Sequence, residues 1–230
     1  IHPERIAIAD GHESLSYGAL DERTQRLAGL LRERGVGSGD RIAILSENRR
    51  EYLELFLGAA RIGAVVACQN WRLAEPELRH CLDLVEPRVV FVSPRHAPKL
   101  EALGRTGLMF GDAYEAALST ATPEAALSEL DPEAPLLILY TSGTTGLPKG
   151  ALISHRAEIA RNLVVHAEFG LAAGDSFVAW SPLYHMGGAE FSLGTLMSGG
   201  KVIVVDGFDA ARLVEIVAGE QLGWLIRRSC

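Results

Sequence analysis

The chain has 230 residues, 48% of them hydrophobic and 22% charged, enough apolar matter for one large domain or two small lobes and too much for a disordered tail. A formal net charge of -7 and a pI near 5.5 exclude a surface built to wrap nucleic acid or anionic membrane, since both need excess lysine and arginine. Cys68, Cys81 and Cys230 are too scattered for a disulfide framework or a metal knuckle, no apolar run reaches the roughly 18 residues of a membrane span, and the amino end lacks a secretion signal. The expected partner is a small molecule and the expected compartment the cytoplasm.

In chain order, residues 17 to 34 place Leu20, Leu27, Leu30 and Leu31 on one helical face, with Ser16 as N-cap and Gly35 as the stop. Residues 41 to 45 (RIAIL) read as a buried strand. A second helix starts after Asn48, with Glu51 as capping partner, and turns Tyr52, Leu55, Phe56, Ala59 and Ala60 inward until Gly63. A strand at 64 to 68 follows, then a helix opened by Pro76 with Leu78, Cys81, Leu82 and Val85 on its apolar side, then a strand at 88 to 92. From Ala97 to Pro135 the pattern weakens into alanine-rich pieces, expected to be the joint between two lobes. Beyond it come a strand at 136 to 140, a glycine-rich loop, the strand GALIS, a helix at 155 to 169, the strand FVAW, the loop SPLYHMGG, a helix, and a strand at 201 to 205.

Strands alternating with helices predict an α/β fold of layered αβα lobes with mostly parallel sheets, and near-continuous hydrophobicity predicts strands covered on both faces. The expected boundaries are a first lobe with its connection at 1–134 and the start of a second lobe, carrying the glycine-rich loop, at 135–230.

That loop, LYTSGTTGLPKG at 139 to 150, holds the chemistry. Gly143, Gly146 and Gly150 let the backbone come close to a ligand, so successive N–H groups can face one concavity. Thr141, Ser142, Thr144 and Thr145 add hydroxyls, and Lys149 adds a positive charge on a flexible stem. This is the composition of a polyphosphate cradle. It is not the Walker design, which needs glycine before the lysine and a hydroxyl residue after it; here the neighbours are Pro148 and Gly150. Glycine, threonine and proline also make ordinary surface hairpins, but seven or so matched positions in fixed order behind a buried strand favour the cradle.

YTSGTTGLPKG closely resembles the signature loop of the adenylate-forming enzymes: acyl-CoA synthetases, aryl-CoA ligases, nonribosomal peptide adenylation domains and beetle luciferases. SPLYHMGG at 181 to 188 resembles the family segment beside the acyl pocket, and NWRLAEPELRHCLDLVEPRVVFVS is similar to the acyl-CoA synthetase branch. The resemblance extends to about Ile226. It implies the first part of the family's large domain, and a two-step reaction in which a carboxylic acid and ATP give an acyl-adenylate, from which coenzyme A takes the acyl group. Carried over by position, Thr141, Ser142, Gly143, Thr144, Thr145 and Gly146 hold the β- and γ-phosphates with Lys149, Thr144 also meets magnesium, His185 orients the carboxylate or gates the pocket, and Met186, Gly187 and Gly188 line the same wall.

Lys149 and His185 are thus the expected catalytic residues; Tyr184, Asn70, Arg72, His80, Cys81 and His155 carry no assignment, and Trp71 is expected to be buried. The family's Y-G-x-T-E motif, ribose-binding aspartate and mobile carboxy-terminal domain are not in this sequence. The chain alone is therefore expected to be an amino-terminal fragment, inactive or weakly nucleotide-binding, from a family whose full-length members are able to dimerise. The alternatives are an amino-acid adenylation fragment, whose selectivity aspartate has no clear counterpart between Glu190 and Asp206, and a non-catalytic nucleotide-binding remnant.

Overall fold

Ile42, Ala43, Ile44 and Leu45 are all fully buried, which a strand achieves only when both faces of its sheet are covered. The computed structural model describes residues 2–11, 13–141 and 146–225. Its elements are β1 (Ile6–Ala9), β2 (Ser14–Ser16), α1 (Tyr17–Glu33), β3 (Arg41–Leu45), α2 (Arg50–Arg61), β4 (Val65–Cys68), α3 (Glu75–Val85), β5 (Val89–Val92), α4 (Ala97–Ala102), β6 (Leu108–Met109), α5 (Asp112–Thr120), β7 (Pro135–Thr141), β8 (Lys149–Ser154), α6 (His155–Phe169), β9 (Ser176–Ala179), α7 (Met186–Met197), β10 (Val202–Val204), α8 (Ala210–Gly219) and β11 (Leu222–Trp224).

They fall into two compact units, each with a mostly parallel sheet. The first takes the described residues up to Asp21, Asn48–Leu53, and those from Ala157 onward. Its five-stranded sheet has the order β11-β9-β10-β1-β2, parallel except where β1 meets β2. Val178, Ile203, Leu213 and Ile216 pack α8 onto it. Ser16 Oγ accepts the N–H of Ala19 at 3.1 Å, so the expected cap of α1 is made.

The second unit takes Glu22–Glu47 and Glu54–Arg156. Its six-stranded sheet has the order β6-β5-β3-β4-β7-β8, parallel except for the β7–β8 hairpin. α3 buries Leu78, Cys81, Leu82 and Val85, the four positions its 3.6-residue spacing marks.

Three findings differ from the sequence reading. A boundary at 134/135 divides the chain in sequence, but β7 and β8 hydrogen-bond beside β4 in the second unit, while β1 and β2 lie beside β10 in the first. Sheet pairing, not contiguity, decides membership. Residues 97 to 120 are not merely a joint: they form α4, β6 and α5, and they bury Leu100, Phe110, Tyr114 and Leu118. Trp71 is half-buried, its ring stacked on His96 at 5.1 Å with the Arg72 guanidinium 4.9 Å from its centroid. Among the described residues no helix is long and apolar enough to cross a membrane.

Candidate functional site

Of the residues expected to hold phosphate, Thr141 and Lys149 lie on β7 and β8 of the second unit. Apolar β7 is buried from Leu136 to Tyr140 and reaches the surface at Thr141, whose cross-strand partner is Lys149. The hairpin therefore turns between these two exposed residues, at the end of β7 where the parallel sheet's strands finish, the end at which ligands bind in open α/β sheets. Gly146 has φ +128°, a conformation side chains rarely adopt, and this frees the backbone on the return toward Lys149. Ser142, Gly143, Thr144 and Thr145, the middle of the predicted cradle, lie outside the described residues.

α3 buttresses this hairpin. Tyr140 Oη donates to the carbonyl of Cys81 at 2.9 Å and accepts from Gln69 Nε2 at 3.1 Å. Burial raises the Tyr140 hydroxyl well above its usual range, so it stays a protonated donor. Burial, then the charge of Glu77, push the Cys81 thiol up to about 12. His80 Nε2 lies 3.2 Å from the carbonyl oxygen of Pro148, one residue before Lys149. Sequence reading gave His80 no part, because a helix residue 68 positions before Pro148 carries no local sign of that contact.

The second group belongs to the first unit. The loop after β9 leads into α7, and His185 is the N-cap residue, extended at φ -108° and ψ 151°, with its side chain exposed. The His185 N–H donates to the Pro182 carbonyl at 3.0 Å. Tyr184 is 2% exposed and lies ring to ring with His185 at 4.5 Å, so its ring packs into the interior beside the histidine. Met186 is exposed, Gly187 half-buried and Gly188 buried. A Cβ at Gly188 would fall 2.4 Å from the Pro182 oxygen, so only glycine lets the first turn of α7 press onto this loop.

One further residue escaped the sequence reading. Asn48, expected to cap the second helix, lies two residues before it, and its side chain is spent elsewhere: Nδ2 lies 3.0 Å from the Ala179 carbonyl, 2.8 Å from Ser181 and 3.1 Å from Val205, while Oδ1 accepts the Leu183 N–H at 2.8 Å. Two of its partners, Ser181 and Leu183, lie on the loop that leads to His185. Between α6 and α7, buried Asn162 donates through Nδ2 to buried Glu158 Oε1 at 2.8 Å, and exposed Arg161 pairs with buried Glu190 at 2.8 Å. Burial is the largest cause raising Glu158 to about 7, with the charge of Glu190 adding to it; burial likewise raises Glu190 against the opposing charge of Arg161.

The chemistry of the two groups is distinct. Hydroxyls, backbone N–H groups and an exposed ammonium suit a polyphosphate; an exposed histidine at a helix N-terminus suits a carboxylate. Among the described residues no cluster of three or more His, Cys, Asp or Glu could hold a metal ion.

The feruloyl-CoA synthase of an Amycolatopsis species is 35% identical over 222 residues, covering 96% of this chain and 45% of that protein. The indoleacetate–CoA ligase of Aromatoleum aromaticum is 35% identical over 238 residues, covering 96% of this chain and 46% of that protein. The crystal structure of ATP-bound MatB from Rhodopseudomonas palustris superposes with a TM-score of 0.85 at 29% identity, over 95% of this chain and 45% of that one. The chain thus spans about 45% of the length of these relatives. Residues 1–225 match the AMP-binding enzyme family, and the chain belongs to that family.

Proposed function

We propose that this chain carries the phosphate-holding and acid-facing parts of an ATP-dependent acid–thiol ligase. The observation that carries the reading is the hairpin itself, with Thr141 and Lys149 paired and exposed where β7 ends and Gly146 opening the backbone between them. Family membership supports it.

In this reading one oxygen of an acyl or aryl carboxylate attacks the α-phosphorus of ATP, the α–β bridging bond breaks, and pyrophosphate leaves. The thiol of coenzyme A then gives its proton to solvent as its sulfur attacks the acyl carbon, the bond from that carbon to the bridging oxygen breaks, and AMP departs with the carboxylate oxygen. Charge builds on the leaving pyrophosphate, so positioning and electrostatic balance are the protein's task. Thr141, Ser142, Gly143, Thr144, Thr145 and Gly146 hold the β- and γ-phosphates, and Lys149 balances their charge. Magnesium carried on the phosphates would supply further charge neutralisation, with the Thr144 hydroxyl among the groups that would hold it. His185 orients the attacking carboxylate, with Met186, Gly187 and Gly188 along the same wall. The names of the two sequence relatives favour an acid activated for coenzyme A, and an aromatic one. The buried thiols Cys68 and Cys81 suit a reducing cytoplasm.

Calorimetric titration of the chain with MgATP tests the reading. Saturable binding is expected, weakened about ten- to a hundredfold by Lys149→Ala, the effect of losing one charge-assisted contact. The weakening should itself shrink at high salt, because the lost contact is an exposed ion pair. A folded chain with no saturable MgATP binding overturns the proposal.

A further inference from the structure

Asn48 is 8% exposed, and its amide reaches four backbone groups. Nδ2 has two protons for three carbonyls, so one proton is shared, and Oδ1 takes the Leu183 N–H. Those groups are not scattered. Ala179 closes β9 and Val205 follows β10, neighbouring strands of one sheet, while Ser181 and Leu183 flank Pro182 in the loop that leads to His185. Without Asn48 the Leu183 N–H and the Ser181 carbonyl lose these partners in a part-buried to buried setting.

The strands do not depend on this amide. β9 and β10 pair through Phe177, Val178 and Ala179, and the apolar cluster of Val178, Ile203, Leu213 and Ile216 holds α8 on them. What depends on it is the short run from Trp180 to His185, pinned at Ser181 and Leu183 by Asn48 and at Pro182 by the His185 N–H. We propose that Asn48 is a positioning residue for acid activation: it fixes this loop and so sets the direction in which His185 meets the substrate carboxylate. The inference rests on the reading of His185 given above. It predicts a loss confined to the acid half of the reaction, because the phosphate hairpin draws on other residues.

Hydrogen exchange and histidine NMR on the full chain test it. In the native chain the Leu183 N–H is expected to exchange slowly; exchange at the open-chain rate overturns the proposal without any variant. Asn48→Ala removes both halves of the amide, and Asn48→Asp keeps an acceptor for Leu183 but sets a carboxylate against three carbonyls. In each, the Leu183 exchange is expected to quicken about ten- to a hundredfold while β10 amides stay protected, and the His185 ring resonance to move. Affinity for a non-hydrolysable adenosine sulfamate bearing an indoleacetyl group should fall at least about tenfold with MgATP affinity unchanged. An unmoved His185 resonance in folded Asn48→Ala, or equal loss of both affinities, overturns the positioning role. If the native chain binds neither probe, the functional reading falls, and with it the role of Asn48 in acid activation.

Discussion

Arg23 sits between Glu54, whose side chain is fully buried, and Glu115, at 2.9 and 2.7 Å. Burial opposes the charge on the guanidinium, but hydrogen bonds to Glu115 and Glu54 and their negative charges outweigh it and hold the group protonated far above its ordinary value. Tyr114 Oη adds a third donor to Glu54 at 2.7 Å. Removing the cation takes one partner from a buried carboxylate, a change that costs about 3–5 kcal/mol. Arg23→Ala is therefore expected to lower the urea midpoint severely. Glu115 is 40% exposed, so Glu115→Ala removes only the solvent-screened arm and costs about 1 kcal/mol or less. Equal midpoints for the two variants would mean that the network is not organised on Glu54. Lys149 and His185, by contrast, are exposed and stand at the surface ends of their elements, so replacing either is expected to cost little stability.

Between α6 and α7 the controlling feature is the pairing of acids. Glu158 faces Asn162 and Arg161 on its own helix and Glu190 on α7, and its Oε2 has no hydrogen-bond partner among the described residues. Its folded value of about 7 lies above the model-compound 4.5, so the native state holds the proton more tightly than the unfolded chain does. This contribution is complete below pH 4.5 and is lost as pH rises toward 7, with an upper bound of about 3 kcal/mol at 1.36 kcal/mol per pH unit. Denaturation at pH 8 should accordingly show Glu158→Gln more stable than the native chain, with the advantage gone by pH 4; a pH-independent difference would remove the proton from the account. Elements of this kind were legible in unequal measure. The apolar face of α3 and the strand runs were read from spacing because burial writes itself into a 3.6- or 2-residue period. α5 was not, since its alanines fit several periods equally, and only Tyr114 and Leu118 reveal which side is buried. The phosphate-holding role of the glycine-rich loop is an expectation from its residue types and their order, and its middle lies outside the described residues. Asn48 was misread as a cap because its partners lie 131 to 157 residues along the chain, where no local rule reaches.

At the scale of the whole chain, the unusual quantity is apolar surface. α6 exposes Ile159 at 46%, Leu163 at 65%, Val164 at 51% and Phe169 at 54%, while Val165 is buried on its other side. α8 repeats the pattern, with Leu213 and Ile216 buried against the sheet and Val214 and Val217 exposed at 69% and 50%. β8, the edge of the six-stranded sheet, presents Leu152 at 64% exposure. Single exposed apolar residues are ordinary, but four on one helix with two more on a second form the kind of surface that recruits other chains. The net charge of -7 opposes association only weakly, because screening at physiological salt confines it to about 8 Å. The chain is therefore expected to self-associate as concentration rises into the tens of micromolar, the range in which contacts worth about 6–7 kcal/mol become populated. Sedimentation velocity over a dilution series reads this directly. Leu163→Lys with Val214→Lys should return the chain to a monomer while leaving its thermal transition within a few degrees, because neither side chain is buried. Persistence of the association in the double variant would move its origin from the helix faces to the open edge at β8, where Leu152→Lys is the corresponding change.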